Sequence, residues 1–198
     1  MEDPAAPYHV PVLLSAVMAA ADGARRAVDA TLGDGGHAAA LRAAGVEVLG
    51  IDRDPSAIRR ARARLGDAGM HYLESPYAAP AALHAVAQFH PDFVLVDLGV
   101  SSAQLDQEQR GFTFRPGAPL DMRMGTDGPG AAELLDTAPE AELTRIFGDY
   151  GDERRARRLA REVVRRRATQ PFRVSYDLVN AIRGALGPGT GPGDFARL

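Results

Sequence analysis

The run Gly33-Asp34-Gly35-Gly36-His37-Ala38 permits the pattern G-x-G-x-x-A, and Asp52 stands nineteen residues beyond Gly33. Glycines in such a turn let the backbone approach a ligand closely, and an acidic side chain after a following strand accepts hydrogen bonds from both hydroxyls of a ribose. That chemistry suits a nucleoside cofactor and serves NAD and S-adenosylmethionine alike. The glycines alone would fit an ordinary tight strand-to-helix turn equally well. A second acid, Asp97, follows the apolar run Phe93-Val94-Leu95-Val96. A carboxylate at a strand end can cap a helix.

These positions have chemical meaning only if strands and helices deliver them to one place. Arg26 to Leu32 reads as a buried strand, followed by the glycine turn and an alanine-rich helix to about Ala44. Val46 to Ile51 is a second strand, and Asp54-Pro55 opens a helix to Leu65 with Asp54 as cap and Pro55 in the first turn. Met70 to Leu73, Pro80 to Phe89 and Phe93 to Val96 read as strand, helix and strand. Strict alternation of this kind predicts a parallel sheet with helical crossovers, whose ligands sit beyond the carboxyl ends of the strands.

After Asp97 the alternation stops. Ser101 to Gly130 is rich in glycine, proline and polar residues, the composition of a functional loop or a domain junction. Helices are expected at Ala131 to Leu135, Pro139 to Gly148, Glu153 to Arg167 and Val174 to Leu186, and the tail from Asp194 to Leu198 reads as too short for another element. The helix from Glu153 sets Ala156, Leu159, Ala160, Val163 and Val164 on one face and arginines around the rest, which fits either a solvated surface or phosphate contact.

Composition bounds the classes. The 198 residues carry 45% hydrophobic and 25% charged side chains and a formal charge of -3, which argues against coating nucleic acid by net charge alone. All 23 basic residues are arginine, a bias codon usage can produce unaided. No cysteine is present, so disulfides and thiolate metal sites are excluded, and no histidine–carboxylate cluster has metal-ligand spacing; no metal is expected. Glu2 and Asp3 stand where a secretory signal would be basic, so the chain is read as cytoplasmic, without a membrane partner.

Longer segments carry a resemblance. Val28 to His37 and Asp97 to Asp106 resemble signature segments of the bacterial enzymes that methylate N4 of a cytidine in small-subunit (16S) ribosomal RNA. His9 to Leu14, Ile51 to Pro55, Arg110 to Phe114, Pro119 to Met124 and Tyr150 to Glu153 are similar to the same family in the same order, to about Leu186. The resemblance implies a Rossmann-like class I methyltransferase sheet, of which residues 1–108 would supply the first four strands, with a helical substrate-recognition insert, incomplete, at 109–198. It implies S-adenosylmethionine held by Gly35, Gly36, His37, Asp52, Tyr77, Asp97 and Gln104, with Asp97 also catalytic beside the reacting nitrogen. Tyr77 stands where the family has phenylalanine, to pack on adenine; taken alone it reads as a core residue. Phe112, Phe114, Asp121 and Arg123 would border the base pocket, where aromatic and arginine groups stack on an exposed base, although two of the four could simply pack under the loop. His9 falls in a segment the family places near the cofactor.

The implied partner is 16S rRNA in the small ribosomal subunit, and a homodimer is compatible with it. Family members continue with a segment rich in Phe-Gln-Ala-Leu-Arg, further strands and a late Phe-His-Ser-Leu-Glu-Asp-Arg motif, so this chain is expected to be a fragment lacking the returning strands of the sheet. Two other functions fit the same residues: an RNA-binding assembly factor without catalysis, and an NAD-dependent oxidoreductase.

Overall fold

A computed structural model describes residues 11–197. The chain divides into two compact units, the first ending at Ser102 and the second starting at Ala103. In the first, β1 (Arg26–Asp29), β2 (Glu47–Asp52), β3 (Met70–Glu74) and β4 (Phe93–Leu95) form one sheet in the order β3-β2-β1-β4, every pair parallel. Helices α2 (Gly36–Ala43), α3 (Pro55–Leu65) and α4 (Pro80–Phe89) are the crossovers. The unit has the Rossmann-like α/β arrangement that the alternation of strands and helices predicts.

The two-residue period of the strands sorts their side chains onto two covered faces. Ala27, Val48 and Met70 are register neighbours on one face, buried beneath Ala38 and Leu41 of α2 and Ile58 and Ala61 of α3. Val28, Leu49 and Ile51 lie on the other, under Ala82, Ala85 and Val86 of α4. Asp92 pins the start of the β1–β4 pair: its carboxylate accepts from the backbone N–H groups of Arg25 and Arg26 at 2.9–3.1 Å, which holds its pKa below the usual range. Helix α3 starts as its sequence predicts, with Asp54 Oδ1 accepting from Ser56 N at 2.9 Å and Pro55 at the first position.

Several elements differ from expectation. Helix α1 (Leu14–Ala20) has no polar residue at its start; Leu13 enters it at φ 53, so the usual capping signal is missing. A short helix α5 (Ser102–Asp106) and a single 3-10 turn (Glu108–Arg110) occupy part of the segment read as loop. Strand β1 ends at Asp29 rather than Leu32, because Ala30 N bonds to Leu95 O and Leu32 N to Ile51 O, turning the chain from one neighbour to the other.

The second unit is helical: α6 (Ala131–Thr137), α7 (Glu140–Asp149), α8 (Ala156–Arg167), α9 (Ser175–Leu186) and α10 (Pro192–Arg197). Its core gathers Leu143, Phe147, Leu159, Val163, Val179 and Ile182. The tail read as too short for an element is helix α10; Pro192 suits its first position, and Phe195, 8% exposed, joins the core edge-to-face with Phe114. Gly111, at φ +75, lies so close to the Pro119 carbonyl and to Asp121 N (2.7 Å from a would-be Cβ) that no side chain fits. No helix among the described residues is long and apolar enough to cross a membrane.

Candidate functional site

The order β3-β2-β1-β4 places a switch of direction between β1 and β4: the chain steps outward from β1 to β3, then returns to the opposite side of β1. Open α/β sheets bind ligands at such a point, outside the carboxyl ends of the strands. Three carboxylates converge there, Asp29 at the end of β1, Asp52 at the end of β2 and Asp97 two residues beyond β4.

Asp52 organises the glycine turn. Its Oδ2 accepts from Gly33 N and its Oδ1 from Asp54 N, both at 2.8 Å, so one side chain ties the loop after β1 to the loop after β2. Each oxygen keeps a second lone-pair direction for a ligand hydroxyl. Gly35 turns the chain into α2 at φ +77, and a Cβ there would meet Leu65 Cδ1 at 2.8 Å. Arg60 and Arg64 of α3 hold the same turn from below, through the Asp34 carboxylate at 2.7 Å and the Asp34 carbonyl at 2.8 Å.

Thr31 bridges the switch point, its hydroxyl accepting from Asp97 N at 2.7 Å. The Asp97 side chain is 44% exposed and its Oδ2 lies 3.5 Å from His37 Nε2. It caps no helix, since α5 begins five residues later. His37 itself is buried, and its Nδ1 has no hydrogen-bond partner. Buried polar nitrogens are almost always paired, so the orphan at the first turn of α2 is a position that a water or a ligand group would satisfy. Asp29 is the most buried acid, 1% exposed with one backbone donor, Thr31 N at 3.2 Å. Burial, aided by the charges of Asp52 and Asp97, pushes its carboxyl up to about 7.

The profile of the MraW methylase family matches residues 6–190. The chain belongs to that family. Curated relatives of this sequence include a ribosomal RNA small subunit methyltransferase H of Gemmatimonas aurantiaca, 50% identical over 96% of this chain and 62% of the relative. Proteins of the same name from Myxococcus xanthus and Rhizobium meliloti are 48% and 43% identical over 82% and 88% of this chain. They are covered for 53% and 52% of their own length, so the chain spans little more than half of these relatives.

The first unit brings Gly35, Gly36, His37, Asp52 and Asp97 to one rim. Tyr77, three residues past β3, is 46% exposed and belongs to no hydrophobic core cluster among the described residues, which corrects the core reading of that residue. Gln104, on α5, is buried and lies in the second unit, as do Phe112, Phe114, Asp121 and Arg123. Phe112 and Phe114 line a small apolar cavity of about 30 Å³ with Leu120, Met122 and Phe195. Asp121 and Arg123 form a bidentate pair at 2.7 and 2.9 Å, which lowers the carboxyl's pKa and raises that of the guanidinium. His9 lies outside the described residues.

Sequence reasoning gave no role to Asp29 or Thr31, although both fall in a segment it singled out. A signal was available: an acid within Ala27-Val28-Asp29-Ala30 interrupts a strand buried on both faces, where a carboxylate is costly without a purpose.

Proposed function

We propose that the first unit binds S-adenosylmethionine and that the chain is part of a cytoplasmic enzyme methylating N4 of a cytidine in 16S rRNA of the small ribosomal subunit. The observation that carries this reading is the unpaired, buried His37 Nδ1 set between the Asp52-tied glycine turn and the half-exposed Asp97. The relatives' names, ribosomal RNA small subunit methyltransferase H, support methyl transfer to small-subunit ribosomal RNA. Asp52 accepts from the ribose hydroxyls, Gly35 and Gly36 admit the ligand close to the backbone, and the Tyr77 ring packs on the adenine. Gln104 is assigned to the cofactor by the family resemblance.

When bound, S-adenosylmethionine supplies an electrophilic methyl group on a positively charged sulfur. The exocyclic amine of cytosine is a weak nucleophile because its lone pair is delocalised into the ring, so the chain's task is to orient it. Asp97 would accept a hydrogen bond from the amine N–H, orienting the nitrogen and offering a destination for the proton it gives up when the methyl group's bond to sulfur is exchanged for one to nitrogen. His37 Nε2, 3.5 Å away, positions that carboxylate. Phe112, Phe114 and the Asp121–Arg123 pair are the candidates to border the base.

Titration calorimetry with S-adenosylhomocysteine and, separately, NAD tests the cofactor. Binding of the first alone is expected, and Asp52→Ala should weaken it about a hundredfold, as two hydrogen bonds to a charged acceptor are lost. Binding of NAD instead would replace this reading with the oxidoreductase one. Transfer of labelled methyl to small ribosomal subunits by a full-length relative, abolished by the change equivalent to Asp97→Ala, tests the reaction. RNA binding without methyl transfer would favour the assembly factor.

A further inference from the structure

Helix α8 carries six arginines and one glutamate in twelve residues, within a chain whose formal charge is -3. The structure separates these arginines by task. Arg167 Nη1 donates to the carbonyls of Leu135 and Ala138 at 2.9 and 2.7 Å and so caps the end of α6. Arg155, just before the helix, does the same for α9 through Leu186 O at 3.0 Å. Arg165 and Arg166 share Glu162, both at 2.7 Å, and pull its carboxyl down to about 2. One carboxylate leaves that pair of guanidiniums with a net positive charge. Arg158 and Arg161 have no acidic partner among the described residues, and both are exposed.

Arg158, Arg161 and Arg165 recur at three and four residues, so they form one stripe with steps of about 4.5 and 6 Å along the helix axis. That spacing is comparable with consecutive phosphates on a nucleic-acid strand. At its Arg165 end the stripe opens into a polar cleft of about 370 Å³, lined by Arg165, Arg166, Thr169, Gln170, Asp177 and Asn180. The volume falls in the range of small-ligand sites. Asp177 is already engaged, accepting from the N–H groups of Arg173 and Val174 at 2.9 and 3.0 Å, whereas the Gln170 and Asn180 amides have no partner among the described residues.

We infer that α8 is a track for a single RNA strand, with successive phosphates on Arg158, Arg161 and Arg165 and one nucleotide lodged in the cleft against Gln170 and Asn180. This deepens the proposed function and rests on it for the choice of RNA; its geometry lies wholly within the second unit. Stripe and cleft contribute differently: neutralised phosphates release counterions, and amide contacts do not.

Fluorescence anisotropy with a labelled ten-nucleotide RNA over a series of KCl concentrations reads both. Arg158→Gln with Arg161→Gln should flatten the slope of log affinity against log salt by about 1.4, the value for two lost single-strand contacts. Gln170→Ala with Asn180→Ala should lower affinity about tenfold and leave the slope unchanged. Arg59→Gln with Arg62→Gln, which removes the same charge from α3, should change neither. No RNA binding by the wild-type chain, an equal response in the α3 variant, or tighter capture by phosphatidylglycerol vesicles than by RNA would each overturn the inference. Binding of S-adenosylhomocysteine, measured on every variant, keeps the two readings apart: if it persists while the α8 changes are silent, only the RNA track fails, and if the wild-type chain does not bind it, the methyltransferase reading fails instead.

Discussion

Three carboxylates share one sheet rim, and their surroundings give them different work. Asp52 is fixed by two backbone donors and Asp97 is half open to solvent, whereas Asp29 is enclosed, with its pKa raised from 3.8 to about 7. A carboxyl that is neutral when folded and charged when unfolded binds its proton more tightly in the native state. Its stabilising effect is therefore complete below pH 3.8 and is lost as the pH rises to about 7, a change of roughly 4 kcal/mol. Asp29→Asn keeps the acceptor for Thr31 N and removes the titration. Urea unfolding should show the variant more stable than wild type at pH 8 and the gap closing toward pH 4; a gap independent of pH would mean that Asp29 is ionised in the native protein.

Elements in this chain are held in place by single residues at their ends. The Asp54 cap and Pro55 of α3 are readable in sequence because local hydrogen bonding alone explains them. Helix α1 and helix α10 are not, since one lacks a cap and the other depends on Phe195 meeting Phe114, about eighty positions away in the chain. The 111–130 segment, read as a loop from its composition, is an ordered strap: Leu120 N bonds to Arg173 O, Met122 N to Arg110 O, and Arg110 donates to the carbonyls of Arg123 and Met124. Gly111 permits that closure. Gly111→Ala combines a positive φ with a clash against backbone, so it should cost the second unit about 2–4 kcal/mol, seen as a lower thermal midpoint. A midpoint within one degree of wild type would show that the strap tolerates another path.

At the scale of the whole molecule, β4 is three residues long and, among the described residues, stands at the sheet's edge with β1 as its one neighbour. Val94, Val96 and Leu98 along and beyond it are 52%, 46% and 69% exposed, an apolar row at the edge of the sheet. Such edges recruit other strands, and lysine is a common natural deterrent. The chain should associate as its concentration rises, and Val96→Lys should suppress this in light scattering without lowering the thermal midpoint. Association unchanged in the variant would place the contact elsewhere.

The fold class, the alternation of strands and helices along the chain and the places of the glycine turn and Asp52 after the first two strands followed from the sequence, because alternating apolar runs and glycine turns are local signals. The role of α8's hydrophobic face was legible for the same reason: Leu159, Ala160 and Val163 repeat at helical spacing and are fully buried. What its arginines do was not, since six chemically identical side chains acquire different partners only when α6, α9 and Glu162 are brought within reach. Asp29 likewise became distinctive only in three dimensions: a carboxylate's charge depends on the solvent and neighbours that packing takes away or supplies, and neither is encoded in its adjacent residues.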